Sequence, residues 1–142
     1  MSSTENKALV RRFLEEVANQ GNLAVIDELY APSYRNHRHL PPGVAADRAG
    51  WKQLMAIYRA GFPDLHFTIE DEIAEGDKVV IRWAVTGTQR GAFMGMAPTG
   101  KPIAVGGIWI SRISDGQISE EWGVSDQLGM LQQLGVVPAS GG

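Results

Sequence analysis

The chain has 142 residues, 44% hydrophobic and 20% charged, with a formal net charge of −3 and no cysteine. That length fits one domain, 1–142, and lets roughly two-thirds of the unfolded surface be buried, enough for a core and an internal cavity. The charge signs are mixed, so nucleic acid is excluded as a partner; the lack of thiols excludes disulfides, thiolate metal sites and cysteine nucleophiles; and no apolar run reaches the ~18 residues of a membrane span. The segment Met1 to Lys7 is polar and lacks the apolar centre of a signal peptide, so the expected location is cytoplasmic.

Ser3 or Thr4 can cap a first helix, in which Leu9, Val10, Phe13, Leu14 and Val17 recur at helical spacing until Asn19-Gln20-Gly21-Asn22 ends it. Leu23 to Tyr30 reads as a short second helix. Ser33 to Gly43, rich in His, Asn and Pro, reads as a loop or short strand. A third helix is expected from about Ala46 to Ala60, with Trp51, Leu54, Met55 and Tyr58 as its apolar stripe. Beyond Gly61-Phe62-Pro63-Asp64 the period changes from 3.6 to 2. Strands are expected over Leu65 to Ile73, Lys78 to Gln89, Pro102 to Ser114 and Gln117 to Ser125, with turns at Glu75-Gly76-Asp77 and Asp115-Gly116. Val79, Ile81, Trp83 and Val85 share one face of the second of these. Arg90 to Lys101 is irregular, and Asp126 to Leu134 resumes helical spacing. Three helices, a run of hairpin-connected strands and a short final helix predict an α+β fold, a curved antiparallel sheet wrapped into a half-open cone around a pocket.

Counting back by twos from Asp126 gives Val124, Trp122, Glu120 and Ile118, an apolar-rich register expected to face inward. A carboxylate held there is desolvated, which raises its pKa and suits it to proton transfer. The competing reading is that Asp126 caps the helix that follows it. His37 and His39 share a face of an extended chain, but with only His66 left as a third ligand no metal site is expected. His37 is instead the candidate acid/base partner or hydrogen-bond donor. Trp83 and Trp109 are read as core or cavity lining, and Phe93, Met94 and Met96 as an adaptable apolar rim. The glycines at 91, 95 and 100 make neither a dinucleotide nor a P-loop pattern, and no Gly-x-Ser-x-Gly elbow exists.

The segments Ala74-Glu75-Gly76-Asp77-Lys78-Val79-Val80, Gly87-Thr88, Gly91-x-Phe93-x-Gly95-x-x-Pro98-Thr99-Gly100-Lys101 and Arg112-Ile113-x-Asp115-Gly116-x-Ile118 resemble those of the SnoaL-like polyketide cyclase and ester cyclase family. So do Glu120-x-Trp122, Asp126 and Gln133-Leu134-Gly135, and the likeness runs from about Asn6 to Gly135. The resemblance implies the cone fold shared with ketosteroid isomerase, scytalone dehydratase and nuclear transport factor 2. It implies an aspartate on the last strand, here Asp126, as general acid/base in an intramolecular aldol closure with no metal and no cofactor. Asn36 and His37 correspond to a pocket-lining stretch, and Glu121 stands where many members carry His. A homodimer is implied as well. Three readings follow: a cofactor-independent cyclase acting on a small apolar carbonyl compound, with Asp126 and His37 catalytic and Asn36, Trp122, Trp83, Trp109, Phe93 and Met96 against the substrate; a non-catalytic pocket protein; or an interaction module. The fold hosts several chemistries, so isomerisation, dehydration or hydrolysis stand beside cyclisation.

Overall fold

Ser2 and Glu5 exchange side-chain-to-backbone hydrogen bonds in a capping box, and helix α1 (Ser3–Arg12) starts there. It runs on without a break into a π-helical segment, Phe13–Asn19, which buries Phe13, Leu14, Val17 and Ala18. The computed structural model describes residues 2–138. A short helix, α2 (Val25–Leu29), leads straight into strand β1 (Tyr30–Asn36). Of Ser33 to Gly43, expected as a loop or short strand, the part up to Asn36 is strand. Asp47 caps α3 (Arg48–Gly61) by accepting from the Gly50 N–H at 2.8 Å. Trp51, Leu54 and Met55 of α3 are buried, as its stripe predicts.

Four long strands follow: β2 (His66–Glu75), β3 (Lys78–Thr88), β4 (Pro102–Ser114) and β5 (Gln117–Ser125), with helix α4 (Gln127–Gln133) last. The sheet order is β1-β5-β4-β3-β2. Strands β2 to β5 pair antiparallel as hairpin neighbours, whereas β1 pairs with β5 in parallel. The α+β class stands, but the sheet is mixed and not wholly antiparallel. A parallel pair needs a long connection, and here α3 and β2 to β4 supply it. The sheet stays open, and the helices pack on its inner face.

That inner face carries Val79, Ile81, Trp83 and Val85 of β3, together with Ile103, Trp109, Ser111 and Ile113 of β4, all buried. The apolar ones form one hydrophobic cluster with Phe13 and Trp51 from the helices, Tyr30 from β1 and Phe62 just after α3. Each fully buried large apolar side chain contributes roughly 1.5–3 kcal/mol to holding the layers together.

The register predicted for β5 is overturned beyond Ile118. Ile113 pairs with Ile118, but Arg112 pairs with Glu120, so Ser119 is an extra residue in the strand. A bulge of this kind reverses which parity faces the core. Ile118 points inward, and then Glu121, Gly123 and Ser125 do, opposite Ser111, Trp109 and Gly107. Glu120, Trp122 and Val124 fall on the outer face, with Val124 73% exposed. Asp126, one residue past the strand, is exposed too.

Candidate functional site

Between α3 and the inner sheet face lies a cavity of about 200 Å³. Its walls are Trp51, Leu54, Met55 and Tyr58 from α3, Phe67, Trp83, Val85, Ile103 and Trp109 from the sheet, and Met130 from α4. Two glycines make room for the indoles. A Cβ on Gly107 would stand 2.3 Å from Trp83 Cζ2, and one on Gly123 would stand 2.5 Å from Trp109 Cδ1.

The cationic member of the wall is Arg38, whose side chain is 9% exposed. Its guanidinium carbon lies 4.3 Å from the Trp51 ring centre and 4.5 Å from that of Trp109, so both π-faces hold it. Nη1 donates to Glu121 Oε1 at 3.1 Å, Asn36 Oδ1 at 3.1 Å and the Tyr34 hydroxyl at 3.2 Å. Glu121, 1% exposed, also accepts from the Tyr34 hydroxyl at 2.9 Å and from the Ser111 hydroxyl at 2.5 Å. A buried carboxylate is tolerated when it is paired and hydrogen-bonded in this way. Burial works against the Arg38 charge, but the Glu121 carboxylate and the two tyrosines outweigh it, so the guanidinium pKa is raised. Burial first, and then the Glu121 charge, push the Tyr30 and Tyr34 hydroxyls well above their usual range. Both therefore stay neutral.

Asp126 borders the cavity at its rim, beside Gln127 and Ser125. Its Oδ1 accepts from the Gly129 N–H at 2.8 Å, capping α4. Oδ2 makes no hydrogen bond among the described residues and stands where a Cβ on Gly129 would be only 2.2 Å away. One oxygen thus holds the helix, and the other is free.

The remaining predicted residues are dispersed. His37 lies on the outer face, its Nε2 2.7 Å from Glu120 Oε2 and its ring stacked on Trp122 at 5.1 Å. The Glu120 carboxyl is held below its usual range, mainly by that hydrogen bond and further by Arg112. His37 therefore pairs with Glu120 and not with Asp126, and Trp122 covers the outside of the sheet and not the ligand space, both through the bulge. Asn36 is buried behind Arg38, also accepting from the Arg38 backbone N–H at 3.1 Å. Phe93 packs edge-on against Phe62 at 5.2 Å and bridges to Met96, beneath the end of α3 and away from the cavity wall. Trp83, Trp109 and Asp126 are the predicted residues that line the cavity. Of the other histidines, His39 borders the cavity and His66 opens β2 on the surface.

Arg38 and Glu121 went unassigned in the sequence. A signal for the first existed: Tyr34, Asn36 and Arg38 share one parity of an extended segment, opposite to His37.

The sequence pattern of the family described as SnoaL-like polyketide cyclase matches residues 8–134. The chain belongs to that family. The nogalonic acid methyl ester cyclase of Streptomyces nogalater is 30% identical over 118 residues, covering 82% of this chain and 88% of that protein. The solved structure of TsrD from Streptomyces laurentii superposes with a TM-score of 0.86 at 30% identity, over 96% of this chain and 99% of that one. IdmH from Streptomyces antibioticus, a candidate polyketide cyclase, gives 0.80 at 36% identity, over 92% and 98%. These SnoaL-like neighbours share the open cone of sheet and helices. Among the described residues no helix of this SnoaL-like protein is long and apolar enough to cross a membrane.

Proposed function

We propose that the protein closes a ring in a small apolar carbonyl compound by intramolecular aldol condensation, with Asp126 moving the proton. The observation that carries this reading is the free Oδ2 of Asp126 at the rim of a cavity walled by three tryptophans. The Asp126 carboxylate takes a proton from a carbon next to a carbonyl, leaving an enolate and a neutral carboxyl. The enolate carbon attacks a second carbonyl carbon of the same molecule, forming the C–C bond and turning that carbonyl oxygen into an alkoxide. The alkoxide takes the proton back from Asp126, so the product is an isomer of the substrate and no co-reactant is consumed. Isomerisation or dehydration of a carbonyl compound would begin with the same proton removal.

The relatives support ring closure over those alternatives, since the curated one is a cyclase by name. Asp126→Asn is the test, because asparagine caps a helix as well as aspartate does but is no base. Turnover of a poly-β-ketone substrate should fall by orders of magnitude with folding intact. Undiminished turnover would refute the role.

One observation favours a second reading, a non-catalytic ligand carrier: the Asp126 carboxylate is exposed and already occupied as a cap. In that case Asp126→Asn leaves ligand affinity unchanged, and no wild-type turnover is found on any carbonyl substrate. We further propose a homodimer through the outer sheet face, where Ile108 and Val124 are neighbours across β4 and β5 and both exposed.

A further inference from the structure

The cavity rim beside Asp126 carries three neutral hydrogen-bond donors, one from each element that meets there. Tyr58 comes from the last turn of α3, Ser125 from the end of β5 and Gln127 from the start of α4, and all three line the cavity with Asp126. The Gln127 amide ties them together: its Nε2 donates to the Tyr58 hydroxyl at 3.4 Å and to the Ser125 hydroxyl at 3.3 Å. Both contacts are longer than the ~2.7–3.2 Å of a firm N–H···O bond. They are also exposed, so a ligand oxygen can displace them without burying an unpaired group. Each hydroxyl accepts in these contacts, and neither donates its own hydrogen to an acceptor among the described residues. The cation of the wall is not available for such a role. Arg38 Nη1 is engaged by Glu121, Asn36 and Tyr34, and its other two nitrogens are sealed from solvent.

Taking a proton from the carbon next to a carbonyl places negative charge on the carbonyl oxygen, and donors aimed at that oxygen lower the barrier. Once the proton has moved, the Asp126 carboxyl is neutral, so the enolate oxygen meets no like charge there.

We propose that the Tyr58 hydroxyl and the Gln127 amide form the oxyanion site. They donate to the single carbonyl oxygen of the substrate and hold its charge while Asp126 holds the proton, with Ser125 steadying the amide. Tyr58 keeps its own proton throughout. Base and donor are then carried by consecutive residues, Asp126 and Gln127, and Tyr58 meets them from α3. The inference rests on the Asp126 reading and deepens it: the reacting carbonyl oxygen sits at the rim, while the apolar body of the substrate lies among the tryptophans.

Asp126→Asn allows a test without turnover, because asparagine stands in for the neutral carboxyl that faces the enolate. The probe is 6-cyano-2-naphthol, a flat apolar body with one oxygen, whose naphthol and naphtholate forms absorb at separate wavelengths. The control is 2-cyanonaphthalene, which lacks the oxygen. With the buffer set where the free probe is half ionised, Asp126→Asn should bind naphtholate about tenfold or more in preference to naphthol, the value of hydrogen bonds to a charged acceptor. Adding Tyr58→Phe, which keeps the ring packed on Phe93, should cut the preference severalfold. Adding Gln127→Ala as well should abolish it, while 2-cyanonaphthalene binds all three proteins alike.

With Asp126 intact, Tyr58→Phe should lower kcat by about 10²–10³ and leave KM little changed, a split that a merely packing role would not give. Equal binding of the two forms by Asp126→Asn, absence of naphthol binding at millimolar concentration, a preference that survives loss of both donors, or an undiminished kcat in Tyr58→Phe overturns the proposal. A fully active Asp126→Asn that still prefers naphtholate refutes the acid/base reading and leaves the oxyanion site. An inactive Asp126→Asn with no preference does the reverse.

Discussion

Arg38 Nη1 and Glu121 Oε1 face each other at 3.1 Å with both side chains sequestered from water, 9% and 1% exposed. Breaking such a pair from one side strands a charge, which typically costs about 3–5 kcal/mol. Glu121→Ala and Arg38→Met should each lower urea-unfolding stability by that amount. Arg38→Met combined with Glu121→Gln should lose much less than the sum. Strict additivity in the double-mutant cycle would show that the two groups are not coupled.

Alkaline pH should unfold the protein through its buried tyrosines. The Tyr30 and Tyr34 pKa values are raised by burial and by the Glu121 charge, whereas an unfolded tyrosine ionises near pH ~10. Above that pH the unfolded chain releases protons that the folded one keeps, so stability present below pH ~10 is lost as pH rises, by up to about 1.4 kcal/mol per pH unit for each tyrosine. Thermal melts from pH 8 to 11 should show the fall, and Tyr34→Phe should make it shallower. A flat profile would contradict the burial.

At Asp126 the cap and the free oxygen can be separated. Asp126→Ala removes the bond to the Gly129 N–H and should cost about 1 kcal/mol, while Asp126→Asn should cost little. Chemical denaturation of the two variants checks this. Equal losses in both would mean that the carboxylate charge, and not the cap, holds α4.

The cavity should be sensitive to one methyl group. Gly123→Ala would place a Cβ 2.5 Å from Trp109 Cδ1 and 3.0 Å from Arg38 Nε. Displacing the indole in a packed wall costs typically 1–3 kcal/mol. Stability should fall accordingly, with a shift in tryptophan emission and weaker binding of an apolar carbonyl compound such as 2-acetonaphthone. Unaltered binding would place the ligand elsewhere.

Val124→Lys puts a charge on the proposed interface, next to Ile108. Sedimentation should then change from dimer to monomer without loss of helix or sheet by circular dichroism. A monomeric wild type would refute the interface.

Much of the architecture was legible because it rests on local rules. The apolar stripe of α3, the alternation along β3 and the Asp115-Gly116 turn each identify an element without knowledge of its neighbours. What the sequence hid depends on pairing. The parallel partnership of β1 with β5 joins residues some 85 positions apart, Arg35 with Glu120 and Asn36 with Glu121, and no local signal announces it. The same pairing brings Tyr34, Asn36 and Arg38 to Glu121. Alternation read straight through Ser119 exchanges the inward and outward members of β5. Asp126 illustrates both sides: as a cap it is readable from an Asp set before a helical run, while its place at the cavity rim comes from the end of the strand and not from the register assigned to it.

Ser119 has a consequence for descent as well as for geometry. The bulge absorbs one residue, so the side chains beyond it keep the facing that a regular strand without Ser119 would give them. A relative with one residue fewer at this point would still turn its counterpart of Glu121 inward against Arg38 and its counterpart of Trp122 outward, and a gapped alignment would match the two chains face for face. A codon gained or lost here is silent for the interior, whereas the same change where no bulge takes it up would exchange inside for outside.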